Sequence, residues 1–129
     1  MYEVTIERDF HADHAITVAG EVEPTHGHDW HVSVVVTGEK LDKDGLLLDF
    51  HLLQERLDTI LSSLRDRDLN RTGPFDRINP TAEHVARHLA DTLTPALPGG
   101  VRLSRVDVTE APGCTATYRP EEARRHEDT

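Results

Sequence analysis

Nine histidines stand among the 129 residues, and three of them fall within the six positions from His26 to His31. In an extended segment His26 and His28 project from the same face, about 6–7 Å apart along the backbone, so two imidazoles at this spacing suit one metal ion. His14 closes an earlier alternating segment with the same parity, and antiparallel pairing of the two segments places it opposite the other two. Three histidine nitrogens with a fourth position left for water or substrate is the donor set of a catalytic zinc ion, which acidifies a bound hydroxyl or polarises a carbonyl. Ordinary surface or core histidines are the competing explanation. Gly27 is expected to let the backbone approach closely and to leave space where a side chain would crowd the metal. His31 and His11 have the opposite parity and are expected to face away, while His51, His84 and His88 fall on helical patterns in solvated or capping roles.

The elements that must position these residues follow from hydrophobic period. Tyr2, Val4 and Ile6 alternate with Glu3, Thr5 and Glu7, and Phe10, Ala12 and His14 continue that parity, which predicts one strand with a single buried face. Residues 15–25, with Gly20 and Pro24, are expected to form a loop. Alternation resumes through His28, Trp30, Val32, Val34 and Val36 until Gly38 and the Asp44-Gly45 turn signal. Phe50, Leu53, Leu57, Ile60, Leu61 and Leu64 then recur at helical spacing and predict one apolar stripe. After a polar connection over 65–79, Asn79-Pro80-Thr81 offers a side-chain cap and a first-turn proline ahead of Val85, Ala86, Leu89, Ala90 and Leu93. Strand patterns return at Val101-Leu103, at Val106-Val108-Glu110, and around Thr115 to Tyr118 beyond a Pro112-Gly113 turn. Strands at both ends and helices between them predict an α+β fold in ββααββ order, an antiparallel four-stranded sheet with two helices on one face. Residues 1–118 are expected to form a single domain, followed by a charged, flexible tail over 119–129.

Charge and composition narrow the functional classes. Fourteen Lys and Arg against twenty-four Asp and Glu give a net charge of −10, the wrong sign for binding nucleic acid through counterion release. No apolar run approaches the roughly 20 residues of a bilayer span. The lone Cys114 cannot form an internal disulfide, and Met1-Tyr2-Glu3-Val4 lacks the basic and apolar regions of a signal peptide, so a cytoplasmic location is expected.

Taken in order, Phe10-His11-Ala12-Asp13-His14, His26-Gly27-His28-Asp29-Trp30, Asp49-Phe50, Leu69-Asn70, Pro80-Thr81-Ala82-Glu83 and Glu110 resemble the 6-pyruvoyl-tetrahydropterin synthase family, which includes 6-carboxy-tetrahydropterin synthase. The resemblance spans residues 2–118 and implies the tunnelling fold, in which subunits join their sheets into a barrel and build active sites between them. It implies zinc on His14, His26 and His28, a reduced pterin held at its amino-pyrimidine edge by Glu110, and Thr81 assisting nearby. A carboxylate suits that edge because it accepts a bidentate pair of N–H donors. It also implies a homo-oligomer, a hexamer built as a dimer of trimers, in keeping with a small sheet whose two edges need partners.

The chain departs from the family pattern where that pattern carries its proton-transfer set. Val22 occupies the position of the usual cysteine, four residues before His26, and Arg65-Asp66 occupies that of the usual Asp-His pair. Family members without the cysteine carry a glutamate at the spacing of Glu23, and they are associated with side-chain cleavage of a dihydroneopterin-type substrate to 6-hydroxymethyl-dihydropterin. The resemblance therefore implies a zinc-dependent lyase on 7,8-dihydroneopterin or its triphosphate with Glu23 as general base; a solvated loop acid is the competing role. The alternatives are a homologue repurposed for other small-molecule proton transfer, or a pterin- or metal-binding protein without turnover.

Overall fold

The computed structural model describes residues 1–121, so the expected tail lies outside the described residues from position 122 onward. Alternation does place the long strands β1 (Tyr2–His14) and β4 (His26–Gly38), which pair antiparallel along their whole length. A small hairpin, β2 (Thr17–Val18) and β3 (Glu21–Val22), stands between them where a loop was expected. Its two-residue turn holds Ala19 at φ 52° and Gly20 at φ 83°. The turn type that matches strand twist needs positive φ at both positions, and alanine there hid the signal that Asn-Gly or Gly-Gly would have given.

Helix α1 (Phe50–Ser62) starts at Asp49, whose side chain accepts the His51 N–H at 2.9 Å. Leu53, Leu57 and Leu61 form its buried stripe, but Phe50 is 51% exposed and lies outside it, against expectation. Helix α2 (Ala82–Leu93) buries Val85, Ala86, Leu89, Ala90 and Leu93. Its cap is Thr81, with Pro80 one position before the cap. Asn79 does not cap, because its side chain is engaged elsewhere. The connection between the helices holds a short 3-10 turn, Leu69–Arg71, and plugs the core with Leu69 and Phe75.

Strands β5 (Arg102–Ala111) and β6 (Cys114–Tyr118) complete a four-stranded antiparallel sheet in the order β1-β4-β5-β6. The two patches expected at 101–103 and 106–110 are one strand. Val36 pairs with Leu103 and Val35 with Arg105, so Ser104 is an extra residue that shifts the parity between them. Phe10, Trp30, Val32, Val34, Val106 and Val108 point to the helix-covered face and are almost fully buried. Truncating a leucine in such a core, for example Leu57→Ala, costs about 2–5 kcal/mol, so this face is a rigid floor for what lies at its end.

Candidate active site

The core stripe of the sheet does not end in apolar residues. Register sets Phe10 opposite Trp30, Ala12 opposite His28 and His14 opposite His26, so the parity that buries Phe10 and Trp30 turns the three histidines to the same face one step further on. Their ring centroids lie 4.5–5.2 Å apart, and His14, fully buried, rests edge-on against Trp30 at 4.8 Å. The Trp30 indole N–H donates to the Ala12 carbonyl at 3.1 Å, which fixes that support.

Local hydrogen bonds orient the rings. His14 Nδ1 donates to the Pro80 carbonyl at 2.8 Å and His26 Nδ1 to the Pro24 carbonyl at 3.0 Å. Since a carbonyl only accepts, both neutral rings keep their lone pair on Nε2. Burial, opposed by Glu110 and reinforced by His26 and His14, holds the His28 pKa below the ordinary histidine value and favours its neutral, ligating form.

Glu110 joins this group from β5, at the point where the β5–β6 register shifts between Thr109 and Ala111. Its Oε1 lies 2.7 Å from His14 Nε2 and 3.2 Å from His28 Nε2. Despite those distances, both buried nitrogens lack a hydrogen-bond partner. Close atoms that do not point at one another converge on a common centre. One donor atom from each of His14, His26, His28 and Glu110 lies within 4.8 Å of the others, so the residues present fit a small cation that takes imidazole and carboxylate donors. Glu110 also lines a cavity of about 330 Å³ with Ala82, Glu83, Cys114, Thr115, Ala116 and Thr117.

Glu23 reaches the rim of the cluster from the base of the β2–β3 hairpin. Its Oε1 lies 3.5 Å from His26 Nε2 and accepts the Ile16 N–H at 3.1 Å, and its own N–H returns to the Ile16 carbonyl at 3.0 Å. Val22, at the cysteine position of the family pattern, is 68% exposed. Arg65 donates to the Asp9 carbonyl, and Asp66 donates its backbone N–H to the His11 carbonyl along the outer edge of β1.

Several expectations change here. A Cβ on Gly27 would meet Asp13 Oδ1 at 2.6 Å and the His11 ring at 3.0–3.1 Å, so this glycine makes room on the helix-free face and not beside the histidine cluster, because its parity is opposite to that of its neighbours. Thr81 Oγ1 accepts the His84 N–H at 3.1 Å as the α2 cap, and the next two residues, Ala82 and Glu83, line the cavity beside Glu110. His31, held by Asp9 and Glu7, and His11, between Asp29 and Asp13, do face away. His51 is exposed and His84 Nδ1 donates to the Asn79 carbonyl, but His88 is half-buried against Phe75 at 5.2 Å. Asn70, known from the sequence only as part of the family pattern, and Asn79, expected as a helix cap, instead hold Ala15 and Thr17 by their side-chain amides; a repeated asparagine after an apolar residue was the only signal.

Fold and site together place the protein in a defined class. Residues 3–121 match the family described as 6-pyruvoyl tetrahydropterin synthase, and the chain belongs to that family. It is 37% identical over 101 residues to the dihydroneopterin monophosphate aldolase of Pyrococcus furiosus, covering 78% of this chain and 82% of that protein. It is 28% identical over 127 residues to the 6-carboxy-5,6,7,8-tetrahydropterin synthase of Bacillus subtilis, covering 92% and 87%. Among solved structures, the Caenorhabditis elegans 6-pyruvoyl tetrahydropterin synthase superposes with a TM-score of 0.80 at 23% identity, over 94% of this chain and 98% of that one.

Proposed function

We propose that this protein is a zinc-dependent lyase that cleaves the side chain of 7,8-dihydroneopterin or a phosphate ester of it, releasing 6-hydroxymethyl-7,8-dihydropterin and a two-carbon aldehyde. The observation that carries this reading is the carboxylate of Glu23 at 3.5 Å from the histidine cluster while the neighbouring Val22 points to solvent. The likeness to an archaeal dihydroneopterin monophosphate aldolase supports the same reaction class.

His14, His26 and His28 would hold the zinc, with Glu110 within reach of the same centre, and the bound ion supplies Lewis acidity toward the side-chain hydroxyls. Glu110, which lines the cavity, accepts the paired N–H donors of the pterin's amino-pyrimidine edge, and Thr81, the α2 cap, immediately precedes Ala82 and Glu83 of the cavity wall. Glu23 takes the proton of the 2′-hydroxyl. The electrons of that O–H bond form the aldehyde carbonyl as the C1′–C2′ bond breaks. The pair left on C1′ delocalises into the C6=N5 imine of the dihydropterin, and Glu23 returns its proton to C1′. Ile16 N–H holds Oε1, the oxygen nearest His26, through one lone pair and leaves the rest of the carboxylate free to take the proton.

The same reading includes assembly. From Tyr2 to Asp9 no strand pairs the outer side of β1 among the described residues, and β6 is the opposite edge. Pairing of these edges between copies closes the sheets into a barrel, as a dimer of trimers. Incubation of the zinc-loaded protein with 7,8-dihydroneopterin, its monophosphate and its triphosphate, followed by product identification, tests the chemistry. Release of 6-hydroxymethyl-7,8-dihydropterin supports it; an intact substrate in all three refutes it. A clean monomer by sedimentation at micromolar concentration refutes the assembly.

A further inference from the structure

The three residues after His14, two linking residues and the first of the hairpin, are held by side chains acting as strands. Asn70 Oδ1 accepts the Ala15 N–H at 2.8 Å and Asn70 Nδ2 donates to the Ala15 carbonyl at 2.8 Å. Two residues on, Asn79 repeats the pattern on Thr17, with both bonds at 2.9 Å. In extended backbone the N–H and C=O pairs of successive residues face opposite sides. Ile16 therefore presents its pair to the other side, where Glu23 takes both, through Oε1 at 3.1 Å and through its backbone N–H at 3.0 Å. Six hydrogen bonds thus fix three residues, four from asparagine amides on one side and two from Glu23 on the other.

We propose that Asn70 and Asn79 are positioning residues that place the carboxylate of Glu23 by clamping Ala15 and Thr17 on either side of its anchor, Ile16. The inference rests on Glu23 as the base. Asparagine is the side chain for this task, since its amide offers the donor and acceptor of a peptide group at short reach. Aspartate at the same place keeps the acceptor for the backbone N–H but turns a second oxygen toward the backbone carbonyl. The two clamps come from different segments, the 3-10 turn after α1 and the approach to α2, so the helices set the height of the hairpin base relative to His14.

The test uses the zinc-loaded full chain with 7,8-dihydroneopterin monophosphate and the variants Asn70→Ala, Asn79→Ala and the isosteric Asn79→Asp. A base displaced by a fraction of an ångström to an ångström loses about 10–100-fold in kcat, while KM and zinc content stay within about twofold. In a Glu23→Gln background the same substitutions should cost nothing more, because the group they position is gone. Wild-type kcat in Asn79→Asp, or an equal loss with and without Glu23, overturns the proposal. Amide exchange separates the two readings: Ile16 and Glu23 amides should exchange faster in Asn79→Asp, and unchanged exchange overturns the clamp. A Glu23→Gln enzyme with full activity overturns the base itself, while exchange still decides whether the asparagines hold Glu23 in place.

Discussion

Replacing Glu23 by Gln removes the proposed base and little else. The Gln carbonyl oxygen can still accept the Ile16 N–H that Oε1 accepts at 3.1 Å, and the backbone bond from residue 23 to the Ile16 carbonyl is untouched. The four donor atoms that converge belong to His14, His26, His28 and Glu110, so zinc content should not change. What is lost is a carboxylate able to take a proton, and a positioned general base contributes about 10²–10⁴-fold. At 1.36 kcal/mol per decade this is about 2.7–5.4 kcal/mol in the barrier, expressed in kcat with KM nearly constant. Quenched time courses that quantify 6-hydroxymethyl-7,8-dihydropterin from 7,8-dihydroneopterin monophosphate read it directly. In Glu23→Ala, added formate should restore part of the rate by filling the vacated place, and should do nothing for Glu23→Gln. Turnover of Glu23→Gln at the wild-type rate refutes the assignment and returns Glu23 to the role of a hairpin residue.

Other substitutions separate the parts of the site. His28→Ala should lose most bound zinc while remaining folded, since the helices and sheet supply the core; full zinc occupancy by elemental analysis removes His28 from the donor set. Glu110→Gln should weaken pterin affinity by about 1.5–3 kcal/mol, the scale of a hydrogen bond to a charged group, and an unchanged dissociation constant in calorimetry means that the cavity reads another edge of the ligand. Gly27→Ala should cost about 1 kcal/mol in a denaturant titration as Asp13 and His11 swing aside, with zinc affinity unchanged; loss of zinc would instead place that Cβ against the histidine cluster. Hydrogen bonds donated by His31 to Asp9 and Glu7 raise its pKa above 6.5, so the stability it adds is full below that pH and is lost as pH rises through the raised value. Wild type and His31→Gln should therefore converge in stability toward alkaline pH, and a gap that widens there contradicts the pairing.

Period-2 alternation made β1, β4 and the histidine parity legible, because a strand with one buried face leaves no freedom about which side a residue takes. Helical period likewise placed both helices to within a residue or two. The features that were missed depend on partners distant in the chain. The use of Asn79 for Thr17 and of Asn70 for Ala15 is invisible until the helices bring those segments together. Glu110 as a neighbour of His14 Nε2 needs the β5 register, which Ser104 shifts by one extra residue within an apparent break in the pattern. Gly27 departs from expectation for a simpler reason: its parity, opposite to that of His26 and His28, puts its open side on the other face.

The pairing of His14 with His26 also bears on the order in which the molecule assembles. The three histidines sit on one hairpin whose connection spans only residues 15–25, so the closure of a short loop gathers them. Glu110 reaches them only when β5 has docked on β4, an event that must enclose both helices and the turns between them. A folding chain therefore acquires its cluster of nitrogens early and its carboxylate late. Zinc captured in the interval would meet three histidines alone, and the docking of β5 would bring the carboxylate to them in the same step that adds Val106 and Val108 to the core.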